Sequence, residues 1–420
     1  MSDLILEKMF DTPERWKAAI DKAVGKGINK GELRQLCSPE TRIEMFMRLA
    51  RKEYKIFPPH TQQIPKDNGD FRTVYINENI DRVFLSLVND VLFEMFPDMI
   101  HKSCKSYQKG IGCGKVVQEI SREIKKYGDG IVGWKIDLSK YFDSVAIEFI
   151  DEIFDEIEER KGKSVVIHTL RDYYHSDLCF DTEGNLIQHY QSLKQGCAVA
   201  SFLADALLYE MDSVLSNMKG KYIRYSDDCL YIGEDWQVAK EIMEQMLAKK
   251  KLTLNPKKIE LIDQNRYVKF LGFALRGEQI TLSKNRVKKF QKEIEKRTIK
   301  NRNVTYKSAV KSVAYFLYGG EYSWARSILP IVNVNEDIQE LNEFVLDALR
   351  AVQTGKKKIG GLGYEPEHGV GVVRRGIGQN VTANRKKTKK ELDGYHGLIE
   401  MKLAYMSSHE AYEALVRTFL

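Results

Sequence analysis

The chain is poor in the features that mark several common protein classes. Of its 420 residues, six are Cys and nine are Pro. Cys37, Cys104, Cys113, Cys179, Cys197 and Cys229 form no CxxC pair and have no His at ligand spacing, so the sequence gives no sign of a disulfide framework or a zinc site. They read as buried small hydrophobes. No uncharged apolar run approaches the ~18 residues of a membrane span. The opening, MSDLILEKMFDTPERW, carries acids where a signal peptide has a basic and then an apolar stretch. The expectation is a cytoplasmic protein with no membrane partner. Internal repeats are also missing. With 43% hydrophobic and 30% charged residues, the chain is neither a fibre nor a disordered tail, and it has room for two or three domains.

Charge is present in excess of one sign, and it is concentrated. The net charge is +7. Between Lys284 and Lys311 there are eleven Lys or Arg against two acids, with apolar residues at helical spacing. From Arg350 to Lys390 eleven basic residues again face only Glu365 and Glu367, threaded with eight glycines. These two segments hold more positive charge than the whole chain nets, so the remainder is acidic. The first reads as a basic helical face and the second as a flexible basic segment, and together they favour a polyanionic partner.

Residues 1–55 alternate apolar and charged positions at helical spacing, as in Trp16, Ala19 and Ile20. A hairpin is expected from Ile64 to Asn79, turning at Asn68-Gly69, then a buried helix over Asp81 to Phe96. IVGWKIDL (Ile131 to Leu138) is strand-like and ends on an acid. Helices follow at Ile147 to Glu159, Val165 to Tyr174 and Cys197 to Leu215. KYIRYSDDCLYIG (Lys221 to Gly233) reads as two β runs flanking Ser-Asp-Asp, and beyond it come a helix (Val238 to Lys250), a turn at Asn255-Pro256 and strands at Ile259 to Ile262 and Tyr267 to Phe273. Strands and helices thus alternate through the centre.

Asp137 ends an apolar strand, and Asp227-Asp228 fill the turn of an apolar hairpin. Carboxylates brought this close repel one another unless a cation neutralises them. Oxygen ligands without His or Cys select Mg²⁺, with Mn²⁺ as a substitute. The chemistry that uses such a set is phosphoryl transfer, with two metals bracing the attacking and leaving oxygens.

These residues resemble the motifs of reverse transcriptases. YSDD (Tyr225 to Asp228) is similar to the YxDD box, and DLSKYFD (Asp137 to Asp143) to the first metal-binding motif, with its aromatic five places on. FRTVYINENIDRVF (Phe71 to Phe84) resembles the fingers block and SYQKG (Ser106 to Gly110) the SYGFR-like block. KQGCAVASFLADALL (Lys194 to Leu208) resembles the QG helix, LTLNPKK (Leu252 to Lys258) the block with a late Lys, and FLGF (Phe270 to Phe273) the primer grip. The seven blocks stand in the family's order over roughly 64–280.

The resemblance implies an α+β right-hand polymerase whose palm holds an RRM-like antiparallel sheet. A helical segment would occupy 1–55, fingers 56–130, palm 131–280, a helical thumb 281–350 and a basic Gly-rich extension 351–420. Asp137, Asp227 and Asp228 would hold two metal ions, Leu138 being counted with both the metal and the nucleotide site. Lys66 and Arg72 would clamp the triphosphate, and Phe142 would act as steric gate against a 2′-hydroxyl. Gln195 and Gly196 would meet the base pair, and Lys258, with Lys257 as an equal neighbour, would protonate the departing pyrophosphate. Lys284, Lys288, Lys289 and Lys292 on the thumb, with Lys386 and Lys387 in the tail, would bind nucleic acid. The implied partners are an RNA template, the cDNA product and deoxynucleotide triphosphates.

An RNA-templated RNA polymerase also uses Asp boxes. It carries an acid or amide five places after the first metal Asp, and Gly-Asp-Asp in the turn, so Phe142 and Tyr225 favour DNA synthesis. A catalytically silent RNA-binding scaffold is opposed by the three intact carboxylates. Ala200-Ser201 and Leu203-Ala204-Asp205 stand where group II intron and retron enzymes have Ser-Pro and Leu-Ala-Asn, and Ser226 replaces the more common Ala. No endonuclease-like Cys or His cluster and no VTG signature follows. The chain is thereby closer to the unclassified, defence-associated bacterial reverse transcriptases, class two, which act against phage with a structured non-coding RNA as template.

Overall fold

The computed structural model describes residues 2–354 except 26–27, 67–68, 109, 190, 302 and 321–322, together with strands Leu362–Glu365 and Val372–Arg375. Asn68 of the expected turn, and Lys386 and Lys387 of the basic tail, lie outside the described residues. The chain divides into two compact units, one from 1–109 and 134–259, the other from 110–133 and Glu260 onward.

The first unit begins with four helices whose starts follow from capping. Asp3, Thr12 and Ser38 each accept a backbone N–H from the first turn, and Pro13 and Pro39 follow the latter two at a position where no N–H is needed. Helix Pro13–Ala23 lays Trp16, Ala19 and Ile20 against helix Asn79–Met95, whose apolar face includes Phe84, Leu87, Val88 and Val91. This is the helical and buried pattern the sequence predicts.

Strands His60–Pro65 and Phe71–Ile76 form the expected antiparallel hairpin, with Ile64 opposite Arg72. A second sheet runs in the order Lys221–Tyr225, Asp228–Ile232, Ile131–Leu138, Leu254–Asp263. Ile131–Leu138 lies inside this sheet, which is why its sequence is almost continuously apolar. Around it Trp134, Tyr141, Phe154, Phe202 and Tyr231 form the core.

Three expectations need correction here. The strand expected over Tyr267 to Phe273 is two, Val268–Phe270 and Phe273–Arg276, which pair antiparallel across Leu271-Gly272. Asn255-Pro256 makes no turn but lies within the ten-residue strand Leu254–Asp263. That strand is at the sheet edge, where a missing N–H costs no ladder bond. The apolar stretch from Cys197 to Leu215 is two helices, Ala200–Leu207 and Tyr209–Ser216, interrupted at Leu208. In the last turn before the break the Asp205 carbonyl accepts from Arg224 Nη2 at 2.8 Å, a partner that no local pattern announces.

The second unit packs helix Cys113–Ile124 with a small antiparallel sheet of Val268–Phe270, Phe273–Arg276 and Gln279–Leu282. The basic stretch after Ser283 is two helices, Lys284–Arg297 and Tyr306–Tyr318, the second opened by a Thr305/Ser308 capping box. Val287, Phe290 and Ile294 are buried, while Lys288, Lys289 and Lys292 are exposed and Lys284 is half-buried. All six cysteines are free; four are buried as expected, but Cys37 is exposed and Cys113 half-buried.

Candidate functional site

Tyr225 pairs with Asp228 across the hairpin, which leaves Ser226 and Asp227 as a two-residue turn. Ser226 has φ +59°, a left-handed value that favours glycine at the first central position of such a turn. The Asp227 carbonyl accepts from Leu138 N at 3.0 Å, which fastens the turn to the end of the neighbouring strand. The three acids therefore meet for a local reason: Asp137 is the next-to-last residue of one strand, and the adjacent hairpin turns over Ser226 and Asp227, so that Asp228, expected in the turn, instead opens the second hairpin strand. Leu138 enters through this backbone bond while its side chain is buried.

The electrostatics follow from crowding. Burial, then the charges of Asp137 and Asp228, push the Asp227 carboxyl up to about 6. Burial and Asp137 also raise Asp228, opposed by Lys135, whose Nζ lies 3.6 Å from Asp228 Oδ1. Lys258 Nζ donates to Asp137 Oδ2 at 2.7 Å. Among the described residues no three His, Cys, Asp or Glu side chains are already closed into a metal-ligating group. The donor set still fits a hard divalent cation: all ligands are carboxylate oxygens, and their ionisation is opposed by one another, a penalty such an ion removes.

Phe142 lies in the short helix Tyr141–Ser144 that follows Asp137, half-buried against the core, with its carbonyl accepting from Leu193 N at 3.1 Å. Its neighbour Tyr141 is the core aromatic, buried with its hydroxyl on the Ala204 carbonyl at 2.6 Å. Lys66 and Arg72 are exposed on the hairpin. That hairpin is joined to the QG segment by Tyr75 N donating to the Gln195 carbonyl at 2.7 Å. Gly196 has φ +107°, and a Cβ there would come within 2.5 Å of Val74 Cγ1 and 2.6 Å of the Tyr75 oxygen. Its lack of a side chain is thus used for the approach of this strand. Lys284, Lys288, Lys289 and Lys292 belong to helix Lys284–Arg297 of the second unit.

Three basic side chains were not singled out from the sequence, two of them beside the acidic turn and the third, Lys194, elsewhere in the first unit. Lys135 is one. Arg224, buried one residue before Tyr225, chelates Asp212 through Nε at 2.8 Å and Nη2 at 2.7 Å. Its signal was available as a charge inside the otherwise uncharged run Tyr222 to Tyr225, beside the acid pair. Lys194 is 3% exposed, and burial lowers its ammonium to about 8. It donates to the carbonyls of Tyr173 and Ser176 at 2.9 and 2.8 Å and borders a cavity of about 500 Å³.

A family model described as reverse transcriptase (RNA-dependent DNA polymerase) matches residues 64–275, just over half of the chain. No curated protein matches. The structure is similar to that of apo telomerase from Candida tropicalis (14% identity, TM-score 0.46, covering 86% of this chain and 68% of that one). It is also similar to Candida albicans telomerase in complex with the TWJ fragment of telomeric RNA (13% identity, TM-score 0.44, 97% and 63%). A third similar structure is the Candida tropicalis enzyme truncated from its C-terminal domain (14% identity, TM-score 0.40, 59% and 60%).

Proposed function

The chain belongs to the reverse transcriptase family of RNA-directed DNA polymerases, and from that premise we propose that it copies a structured non-coding RNA into cDNA in the cytoplasm of a bacterium, as part of defence against phage. Its α+β fold is that of this family's polymerases, and enzymes of the family use divalent metal ions. The observation that carries the catalytic reading is the set of Asp137, Asp227 and Asp228 at adjoining strand ends, with Asp227 pushed up to about 6 by burial and then by the charges of the other two.

Two Mg²⁺ ions, when bound there, would supply the Lewis acidity that activates a primer hydroxyl and neutralises charge on the phosphoryl oxygens. The chain's own residues do the rest. Asp137, Asp227 and Asp228 would hold the ions; Lys258, already at the Asp137 carboxylate, would give a proton to the departing pyrophosphate. Phe142, half-buried five residues beyond Asp137, limits the space for a 2′-hydroxyl and so favours deoxynucleotide triphosphates. Arg72 and Lys66 supply exposed cations for the triphosphate, while Gln195, fixed to the hairpin through its carbonyl, meets the base pair beside Gly196.

The fingers, palm and thumb divisions at 56–130, 131–280 and 281–350 are part of the same reading. The thumb lysines would grip the duplex backbone, and the tail from 351, with Lys386 and Lys387, the dedicated RNA. No described helix is long and apolar enough to cross a membrane. Asp205 at a place where intron and retron enzymes carry Asn, and Ser226 in place of the more common Ala, count against an intron or retron enzyme and so leave room for the defence assignment. Sequencing the nucleic acid that copurifies from cells challenged with phage tests it: cDNA complementary to one structured RNA is expected, and retrohomed intron sequence or no cDNA would overturn the assignment.

A further inference from the structure

The turn that bears Asp227 and Asp228 is held from behind by fully buried charge. Both backbone polar groups of Ser226 are taken by side chains. Its N–H donates to Ser106 Oγ at 3.0 Å, and the Ser106 hydroxyl donates to Asp205 Oδ1 at 2.6 Å. Its carbonyl accepts from Arg224 Nη1 at 3.2 Å. Arg224 in turn bonds Asp212 through two nitrogens and the Asp205 carbonyl through Nη2 at 2.8 Å. Ser106, Asp205, Asp212 and Arg224 are all 0% exposed.

A two-residue hairpin closes through its strand pairing and needs none of this. Burying an ion network carries a desolvation cost that the pairing only partly offsets. Asp205 keeps one oxygen, Oδ2, without a hydrogen-bond partner, a further cost in a low-dielectric interior. Such arrangements persist where they hold a backbone conformation that would otherwise relax. The conformation here is the left-handed Ser226, and the peptide gripped by Arg224 is the one that carries the Asp227 nitrogen. Fixing the peptide planes on both sides of Ser226 fixes where the two following carboxylates point, as outer groups orient ligands in metal sites.

We propose that Ser106, Asp205 and Arg224 are positioning residues for the metal-binding turn, setting the placement of the Asp227 and Asp228 carboxylates that receive divalent ions. The inference rests on the reading of those two acids as metal ligands.

The test uses the full chain as wild type, Ser106→Ala and Asp205→Asn. Two quantities are read: Mn²⁺ affinity without nucleic acid, from the electron paramagnetic resonance of free Mn²⁺, and kcat and KM for a deoxynucleotide on an RNA template. Ser106→Ala removes the relay to Ser226 and is expected to lower kcat roughly tenfold, about 1.4 kcal/mol, with KM changed less than twofold. Its Mn²⁺ affinity is expected to fall several-fold. Asp205→Asn retains an acceptor for Ser106, so its losses should have the same pattern and be smaller. Wild-type kcat and Mn²⁺ affinity in folded Ser106→Ala would overturn the inference. So would losses confined to KM. If Ser106→Ala does not fold, Asp205→Asn decides by the same criteria. A wild-type chain that binds Mn²⁺ but extends no primer would contradict the functional reading instead, and the Mn²⁺ affinities would still judge the positioning role.

Discussion

Lys258 Nζ stands 2.7 Å from Asp137 Oδ2, so the first of the three acids already has a cationic partner. Lys258 comes from the edge strand Leu254–Asp263 and its side chain is 56% exposed, which leaves it free to move away when another cation arrives. Lys258→Met should therefore lower the Mg²⁺ concentration needed for half-maximal activity, by about two- to threefold, because a competitor for Asp137 is gone. The maximal rate should fall by roughly 10²-fold if the ammonium also delivers the proton. Steady-state rates against Mg²⁺ concentration measure both, and a higher Mg²⁺ requirement would refute the competition.

Gly196→Ala is expected to destabilise the fold by about 1–3 kcal/mol. The backbone is at φ +107°, and the new methyl would collide with Val74 and the Tyr75 carbonyl. Because the Tyr75–Gln195 bond lies beside it, amide exchange at Tyr75 should quicken. Urea unfolding and hydrogen exchange read the two effects, and an unaltered midpoint would mean that the strand can yield.

Much of this was legible from local pattern. YSDD between two β runs, and DLSKYFD after an apolar strand, are short-range signals, and a strand end beside a two-residue turn leaves little freedom in where the acids go. Ser106 and Asp205 were legible only as members of blocks, because their meaning lies in a contact across about a hundred positions of sequence. Pro256 misled for the opposite reason: its local rule forbids a central strand, and an edge strand is recognised only once the sheet order is known. The break at Leu208 has neither Gly nor Pro to mark it.

The pH dependence of stability should change with Asp205→Asn. Burial pushes the Asp205 carboxyl up to about 6, against the pull of Arg224 and the hydrogen bonds from Ser106 and Cys104, with Asp212 adding to the rise. A folded-state value above the unfolded one means that the folded protein takes up a proton as pH falls from about 6 towards 4, so this group stabilises at low pH and the benefit is lost as pH rises through about 6. Relative to the Asn variant, the wild type should gain on the order of 1–3 kcal/mol between pH 7 and pH 4.5. Asp227, also raised, is common to both proteins and cancels in the difference. Parallel melting curves across that range would contradict the assignment.

Neutralising Lys284, Lys288, Lys289 and Lys292 together should flatten the dependence of duplex affinity on salt by roughly 0.9 in log–log slope for each phosphate that is no longer neutralised. Their helix keeps Val287, Phe290 and Ile294 in the core, so the fold should survive. Filter binding at several salt concentrations would show it, together with shorter products on a neutral template. An unchanged slope would make this face ordinary solvated surface.

The most direct measurement is primer extension on an RNA template in Mg²⁺, with deoxynucleotides or ribonucleotides, by the wild type and by Asp227→Asn/Asp228→Asn. The wild type should synthesise DNA with a strong preference for deoxynucleotides. The double variant should make none, yet stay folded, because Asp227 and Asp228 are raised by burial and by Asp137 and gain from losing charge. Extension by the folded double variant at near wild-type rate would contradict the assignment of these carboxylates as the catalytic centre.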